Sequence, residues 1–138
     1  MKMLILGYSD LVKRKVIPAI KKLKNIKFDI ASVSKNQINT GHERWYRSYL
    51  TAIEKSDADV VYISLVNSKH FKYAIKSLNR NKNIIVDKPL CLKLNETKKL
   101  IKTAKKKKLF MAEALVFAYH QQFKLIRRFI KKNNIILN

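Results

Sequence analysis

Residues 60–89, VVYISLVNSKHFKYAIKSLNRNKNIIVDKP, decide the fold. Val60 to Val66 (VVYISLV) is an almost unbroken apolar, β-branched run, the pattern of a strand covered on both faces. Phe71, Ala74, Ile75 and Leu78 then recur at helical spacing, with Ser68 placed to cap the helix. Asn83 to Val86 (NIIV) returns to a buried strand, stopped by Asp87-Lys88-Pro89. Strand, helix and strand on short connections require a right-handed crossover and a parallel pair.

The alternation extends both ways. Upstream, Lys2 to Leu6 is a buried strand ended by Gly7, and Leu11, Val16, Ala19, Ile20 and Leu23 follow at helical spacing. Pro18 should bend or restart that helix. Phe28 to Val33 is a second strand, 34–43 a polar loop, Trp45 to Tyr49 a brief edge strand and Leu50 to Lys55 a short helix. Downstream, Asn95 to Lys108 is helical, with Leu94, Leu100, Ile101 and Ala104 inward. Leu109 to Ala112 is a further strand, Gln121 to Lys132 a last amphipathic helix, and Ile135 to Leu137 the start of another strand. The whole reads as an α/β protein: a doubly wound parallel sheet in three layers, α/β/α.

Composition narrows the function. The chain has 138 residues, the length of one ordinary domain, and its 47% apolar content supplies a packed core. Lys and Arg number 31 against 9 Asp and Glu, a formal charge of +22. Such charge attracts nucleic acid, anionic membranes or phosphate ligands. But 25 of the cations are Lys and only 6 are Arg, beside 16 Ile and 11 Asn, all residues with adenine/thymine-rich codons. Solvated Lys-rich helix faces therefore account for the charge better than base recognition, which leans on Arg. The run Lys105 to Lys108 suits a helix C-terminus, where cations meet the negative dipole end. The single cysteine, Cys91, excludes an internal disulfide, and three scattered His offer no metal spacing. No run of 18 apolar residues is present and the N-terminus lacks a signal-peptide core, so a cytoplasmic setting is expected.

In a doubly wound sheet, ligands settle beyond the carboxyl ends of the strands near the point where strand order reverses. Gly7 to Val12, Ser34 to Asn36, Val66 to Lys69 and Asp87 to Pro89 are the loops that would gather there. After the first strand, Gly7-Tyr8-Ser9-Asp10-Leu11-Val12 keeps only the first glycine of a Gly-x-Gly-x-x-Gly dinucleotide fingerprint. Ser9 is small and its hydroxyl suits a phosphate, Asp10 puts negative charge close by, and Val12 widens the helix–strand contact. After the second strand, Ser34-Lys35-Asn36 lacks the acid that NAD sites place on the ribose, and a hydroxyl with a cation favours the 2′-phosphate of NADP slightly over NAD.

The later segments carry a resemblance. Asn67 with His70 three residues on, the Asp87-Lys88-Pro89 turn, Glu113-Ala114 followed by Tyr119-His120, and Ile17-Pro18-Ala19-Ile20 resemble, in order and spacing, the Gfo/Idh/MocA family of NAD(P)-dependent oxidoreductases. Departures are Val66 for a Pro, Asp87 for a Glu, Ala118 for an Arg and Gln121 for a Pro. The resemblance implies a Rossmann cofactor domain over residues 1–118, with residues 119–138 leading to a substrate domain that this chain lacks. It implies that Gly7, Ser9 and Leu11 lie along the pyrophosphate, with Asp10 in the same loop. Ser34 and Lys35 would face the adenosine ribose, while Leu65, Asn67 and His70 would line the path to the nicotinamide ribose. Lys88, beside Asp87, would be the catalytic residue next to the nicotinamide, with a cis peptide before Pro89, and Glu113 would close that side. It further implies hydride transfer to or from a sugar-like or polyol substrate, with oligomers possible and turnover incomplete without a second domain. The eroded glycine loop leaves a scaffold or partner-binding module as the alternative. His42 reads as a loop residue, His120 as a cap or a substrate contact, and Cys91 as a packed thiol.

Overall fold

A computed structural model describes residues 1–34 and 39–133. Among them, six strands form one fully parallel sheet: β1 (Lys2–Leu6), β2 (Lys27–Ala31), β3 (Trp45–Tyr46), β4 (Val60–Ile63), β5 (Asn83–Val86) and β6 (Met111–Glu113). Their order is β3-β2-β1-β4-β5-β6, so the winding reverses between β1 and β4. The helices are α1 (Ile17–Lys21), entered through a π-helical turn (Val12–Val16), then α2 (Tyr49–Lys55), α3 (Asn67–Asn79), α4 (Leu94–Lys107) and α5 (Gln121–Lys132). A 3-10 turn (Val116–Tyr119) precedes α5.

The apolar runs are continuous because both faces of the sheet are covered. Leu4, Leu6, Val61, Ile63, Ile84 and Val86 pack against α2, α3 and α4, whereas Ile5, Phe28, Ile30 and Tyr62 face the π-turn and α1. Burial of each such aliphatic side chain contributes about 1.5–3 kcal/mol. The doubly wound, three-layer expectation is met.

Several local expectations need correction. The first helix buries Val12, Ile17 and Ile20 and exposes Leu11 and Leu23. The wide π-turn brings residues five apart onto one face, so the stripe is rotated from the 3.6-residue reading. Pro18 sits in the first turn of α1, where its missing N–H costs nothing. The apolar run from Val60 outlasts its strand: Ser64 makes a last ladder bond to the Leu6 carbonyl (2.9 Å), and Val66 is exposed. Extended Val66 precedes α3, which starts at Asn67 without a side-chain cap, so Ser68 lies inside the helix. Trp45 and Tyr46 alone form β3, because Ser48 caps α2 through the Thr51 N–H and Tyr49 joins that helix. Leu109 does not open β6. Lys108 takes a left-handed conformation (φ 55°) and the Leu109 N–H closes α4 on the Ala104 carbonyl (2.9 Å). In α4 only Leu100 and Ala104 are buried, while Leu94 and Ile101 are exposed. Ile135 to Leu137 lie outside the described residues.

The amino ends of the strands hold a charge cluster. Lys2 Nζ lies 2.7 Å from Asp57, 2.9 Å from Glu43 and 3.2 Å from the fully buried Asp29, while the Lys2 N–H donates to Asp59 (2.8 Å). Four of the nine acids thus sit at the end of the sheet opposite the ligand-side loops. Burial alone would lower the Lys2 ammonium, but Asp57, Glu43 and Asp29 together raise it above the ordinary lysine range. Lys27 and Lys2 hold Glu43 below the usual carboxylate range, and Lys2 does the same for Asp57. Carboxylates with depressed values stabilise the fold above their unfolded value, about pH 4, and lose that contribution as pH falls through the folded value. The urea midpoint should hold steady from pH 8 to about pH 5 and drop below about pH 4. A midpoint unchanged between pH 7 and pH 3 would contradict this.

Candidate functional site

Parallel strands deliver their following loops to one edge, and there the loops after β1, β4 and β5 converge. Gly7 has φ +100° and donates its N–H to the Ala31 carbonyl (2.9 Å). A Cβ at Gly7 would lie 2.1 Å from the Ser64 carbonyl oxygen and 3.0 Å from Leu65 Cδ2. The loop therefore crosses directly over the end of β4, which glycine alone permits. Beside it, at the reversal point between β1 and β4, opens a cleft of about 470 Å³. Of the residues expected from sequence it gathers Gly7, Ser9, Leu11, Leu65 and Asp87. It adds Tyr49 and Ser64, which the sequence reading did not assign, and Tyr8 and Val66 from the loops expected at this edge. Ser64 and Val66 flank Leu65 at a strand end, so topology was a usable signal for them. Tyr49 reaches the cleft from α2 through tertiary packing against Tyr73, ring centroids 5.2 Å apart, for which sequence gives no signal.

A row of hydroxyls crosses the cleft floor. Tyr62 donates to Asp87 Oδ1, Ser64 donates to Asp87 Oδ2 (2.6 Å), and the Ser9 and Ser64 oxygens lie 2.8 Å apart. Since the Ser64 proton goes to the carboxylate, Ser9 must be the donor in the serine pair. Ser9 Oγ in turn accepts the Val12 N–H (3.2 Å). In this arrangement the Ser9 proton is directed to Ser64. Burial, then the Asp87 hydrogen bond and charge, push the Tyr62 phenol well above its ordinary range and keep it a donor at neutral pH.

The Asp87-Lys88-Pro89 turn is fastened from behind. The Lys88–Pro89 peptide is cis, as expected. His70 is fully buried, with Nδ1 2.7 Å from the Pro89 carbonyl and Nε2 2.9 Å from the Leu65 carbonyl. Glu113 Oε1 accepts the Leu90 N–H (2.9 Å). Lys88 is exposed, on the same edge as exposed Asn67 at the start of α3.

The remaining candidates stand apart. Asp10 points to solvent, pairs with Lys13 (3.4 Å) and shares a separate hollow with Leu11, Arg14 and Lys15, so the structure does not bring it to the cleft. Ser34 is exposed past the end of β2, its N–H on Ser32 Oγ (3.2 Å), and does not line the cleft. Lys35 lies outside the described residues. Val12 is fully buried against Ile5 and Ile30 where the helix runs as a π-turn. His120 caps α5, accepting the Gln122 N–H (3.3 Å). His42 packs edge-on against Trp45, and burial lowers its basicity. Burial pushes the half-buried Cys91 thiol up. Among the described residues no group of three or more His, Cys, Asp or Glu could hold a metal ion, and no helix is long and apolar enough to cross a membrane.

The Gfo/Idh/MocA model, described as an oxidoreductase family with an NAD-binding Rossmann fold, matches residues 1–114. D-xylose 1-dehydrogenase (NADP(+)) of Hypocrea jecorina is 27% identical over 130 residues, covering 86% of this chain and 33% of that protein. Trans-1,2-dihydrobenzene-1,2-diol dehydrogenase of Danio rerio is 28% identical over 92 residues, covering 67% of this chain and 28% of that protein. The chain thus spans about a third of the length of these curated relatives. The crystal structure of myo-inositol 2-dehydrogenase from Lactobacillus plantarum superposes with a TM-score of 0.88 at 20% identity, covering 98% of this chain and 42% of that one, a likeness of fold.

Proposed function

We propose a specific role for this chain, which belongs to the Gfo/Idh/MocA oxidoreductase family as its NAD-binding Rossmann domain: it binds a nicotinamide dinucleotide across the β1/β4 edge, within an enzyme oxidising or reducing a sugar or related polyol. The observation that carries the reading is the cleft at the reversal point, closed on one side by Gly7 and flanked by the Lys88 turn. The residues fit the ligand. Gly7 permits the tight approach, Leu11 and Leu65 supply apolar walls, and the cleft lies at the winding reversal where a doubly wound sheet takes its ligand.

When bound, the nicotinamide would supply or accept the hydride, according to the direction of the reaction. The chain's own part is positioning and proton handling. Gly7, Ser9 and Leu11 would hold the pyrophosphate, Ser34 and Lys35 the adenosine ribose, and Asn67 and Leu65 the nicotinamide ribose. Lys88 would hold the reacting oxygen of the substrate and exchange a proton with it. The sugar or polyol class rests on the relatives, among them a xylose dehydrogenase and a dihydrodiol dehydrogenase. NADP is favoured over NAD because no acid stands in Ser32-Val33-Ser34-Lys35 after β2, and the named xylose relative uses NADP(+). A scaffold role is not favoured, since the rim loops and the Lys88 turn retain a built arrangement despite the lost glycines. We place the protein in the cytoplasm.

Calorimetric titration of the chain tests the reading. NADPH should bind in the micromolar range, several-fold more tightly than NADH. No heat with either at millimolar concentration would reject it.

A further inference from the structure

We infer that Ser64 is a positioning residue that couples the two halves of the dinucleotide site; the inference rests on the dinucleotide reading above. Ser64 sits at the end of the middle one of three adjacent strands, β1, β4 and β5, and touches the loops that follow both neighbours. One side carries the phosphate loop through Ser9 Oγ (2.8 Å), and the other carries the Lys88 turn through Asp87 Oδ2 (2.6 Å). Ser64 itself is 5% exposed.

The proton inventory makes this row directional. Asp87 receives a hydroxyl at each oxygen, from Tyr62 and from Ser64, so its side chain is fixed at both ends. Ser64 receives the Ser9 proton, and Ser9 receives the Val12 N–H. Polarised chains of this kind strengthen along their length, and a carboxylate acceptor makes the terminal bonds strong. Two members, Ser9 and Asp87, stand where the Gly-x-Gly-x-x-Gly fingerprint has glycine and where the family turn has Glu. A shorter acid can reach the β4 hydroxyls, and a serine in the glycine loop provides the far end. The Lys88 turn is thereby held in register with the phosphate loop, and the nicotinamide half of the ligand gains most from that.

The test compares two probes, NADPH and 2′-phospho-ADP-ribose, which lacks the nicotinamide, on the chain and on Ser64→Ala and Ser64→Thr, with thermal midpoints recorded. Ser64→Ala should weaken NADPH about tenfold, the scale of one hydrogen bond to a charged group. The same variant should bind 2′-phospho-ADP-ribose within about twofold of the parent, and Ser64→Thr, which keeps the hydroxyl, should recover NADPH affinity. An equal loss for both probes, no loss for either, or failure of threonine to rescue at an unchanged thermal midpoint would overturn the coupling while leaving the cofactor reading in place. If neither probe binds the unaltered chain, the cofactor reading falls and the coupling with it.

Discussion

Replacing Lys88 with alanine should lower hydride transfer in the enzyme carrying this domain by about 10²–10⁴-fold, the usual worth of a positioned acid–base group. The turn that carries Lys88 is held at three points: Asp87 by Tyr62 and Ser64, the Pro89 carbonyl by His70, and the Leu90 N–H by Glu113. None of these bonds uses the Lys88 side chain, so alanine should leave the turn, the fold and dinucleotide affinity nearly unchanged. Steady-state rates with matched cofactor titrations would separate the effects. Lys88→Arg should not rescue, because guanidinium stays protonated and presents a different donor geometry. An alanine variant within threefold of the parent rate would remove Lys88 from the chemistry.

Gly7→Ala should be the most damaging single methyl in the rim. The added Cβ would sit 2.1 Å from the Ser64 carbonyl, a backbone atom that cannot swing aside, and the residue already has φ +100°. Overpacking of about 1–3 kcal/mol adds to backbone strain of about 1–3 kcal/mol, which for a chain of this size lowers the melting midpoint by about 10 °C. Because Ser64 is also the centre of the hydroxyl row, dinucleotide affinity should fall with it. Gly41→Ala is the control: φ is +78°, but the nearest foreign atom is Lys21 Cε at 3.5 Å, a mobile side chain. Differential scanning calorimetry of the two variants decides the matter, and equal midpoints would refute the contact argument.

Much of this architecture was legible in the chain because buried parallel strands leave an unmistakable apolar signature. VVYI and NIIV read as strands covered on both sides, though the apolar run overstates the first by reaching exposed Val66, and the Gly7, Asn67 and Lys88 loops follow from the parallel order. What escaped was set by contacts at a distance. The buried face of α3 is His70, Tyr73, Ala74, Ser77 and Leu78, one step round from the purely apolar stripe. Two of its members are polar and meet carbonyls: the His70 ring nitrogens lie within hydrogen-bond distance of those of Leu65 and Pro89, and Ser77 donates to that of Tyr73. Hydropathy assigns such residues to the surface. The π-turn at Val12–Val16 likewise breaks the spacing on which helix faces are read. At the site, Asp10 follows Ser9 in sequence yet turns onto the outer helix face beside Lys13, which no spacing rule foretells. Topology puts Ser64 at a strand end, but its link between Ser9 and Asp87 is a tertiary contact that the sequence does not carry.

The central claim is that the edge shared by Gly7, Ser64 and the Lys88 turn holds a nicotinamide dinucleotide. An NADPH titration followed amide by amide in ¹⁵N-labelled protein addresses it residue by residue. Saturable shifts should concentrate in Gly7 to Leu11, Ser64 to Asn67 and Asp87 to Leu90, while Lys2, Asp57 and Asp59 at the opposite end of the sheet stay still. Shifts centred on that opposite end, or none at all up to millimolar NADPH, would contradict it.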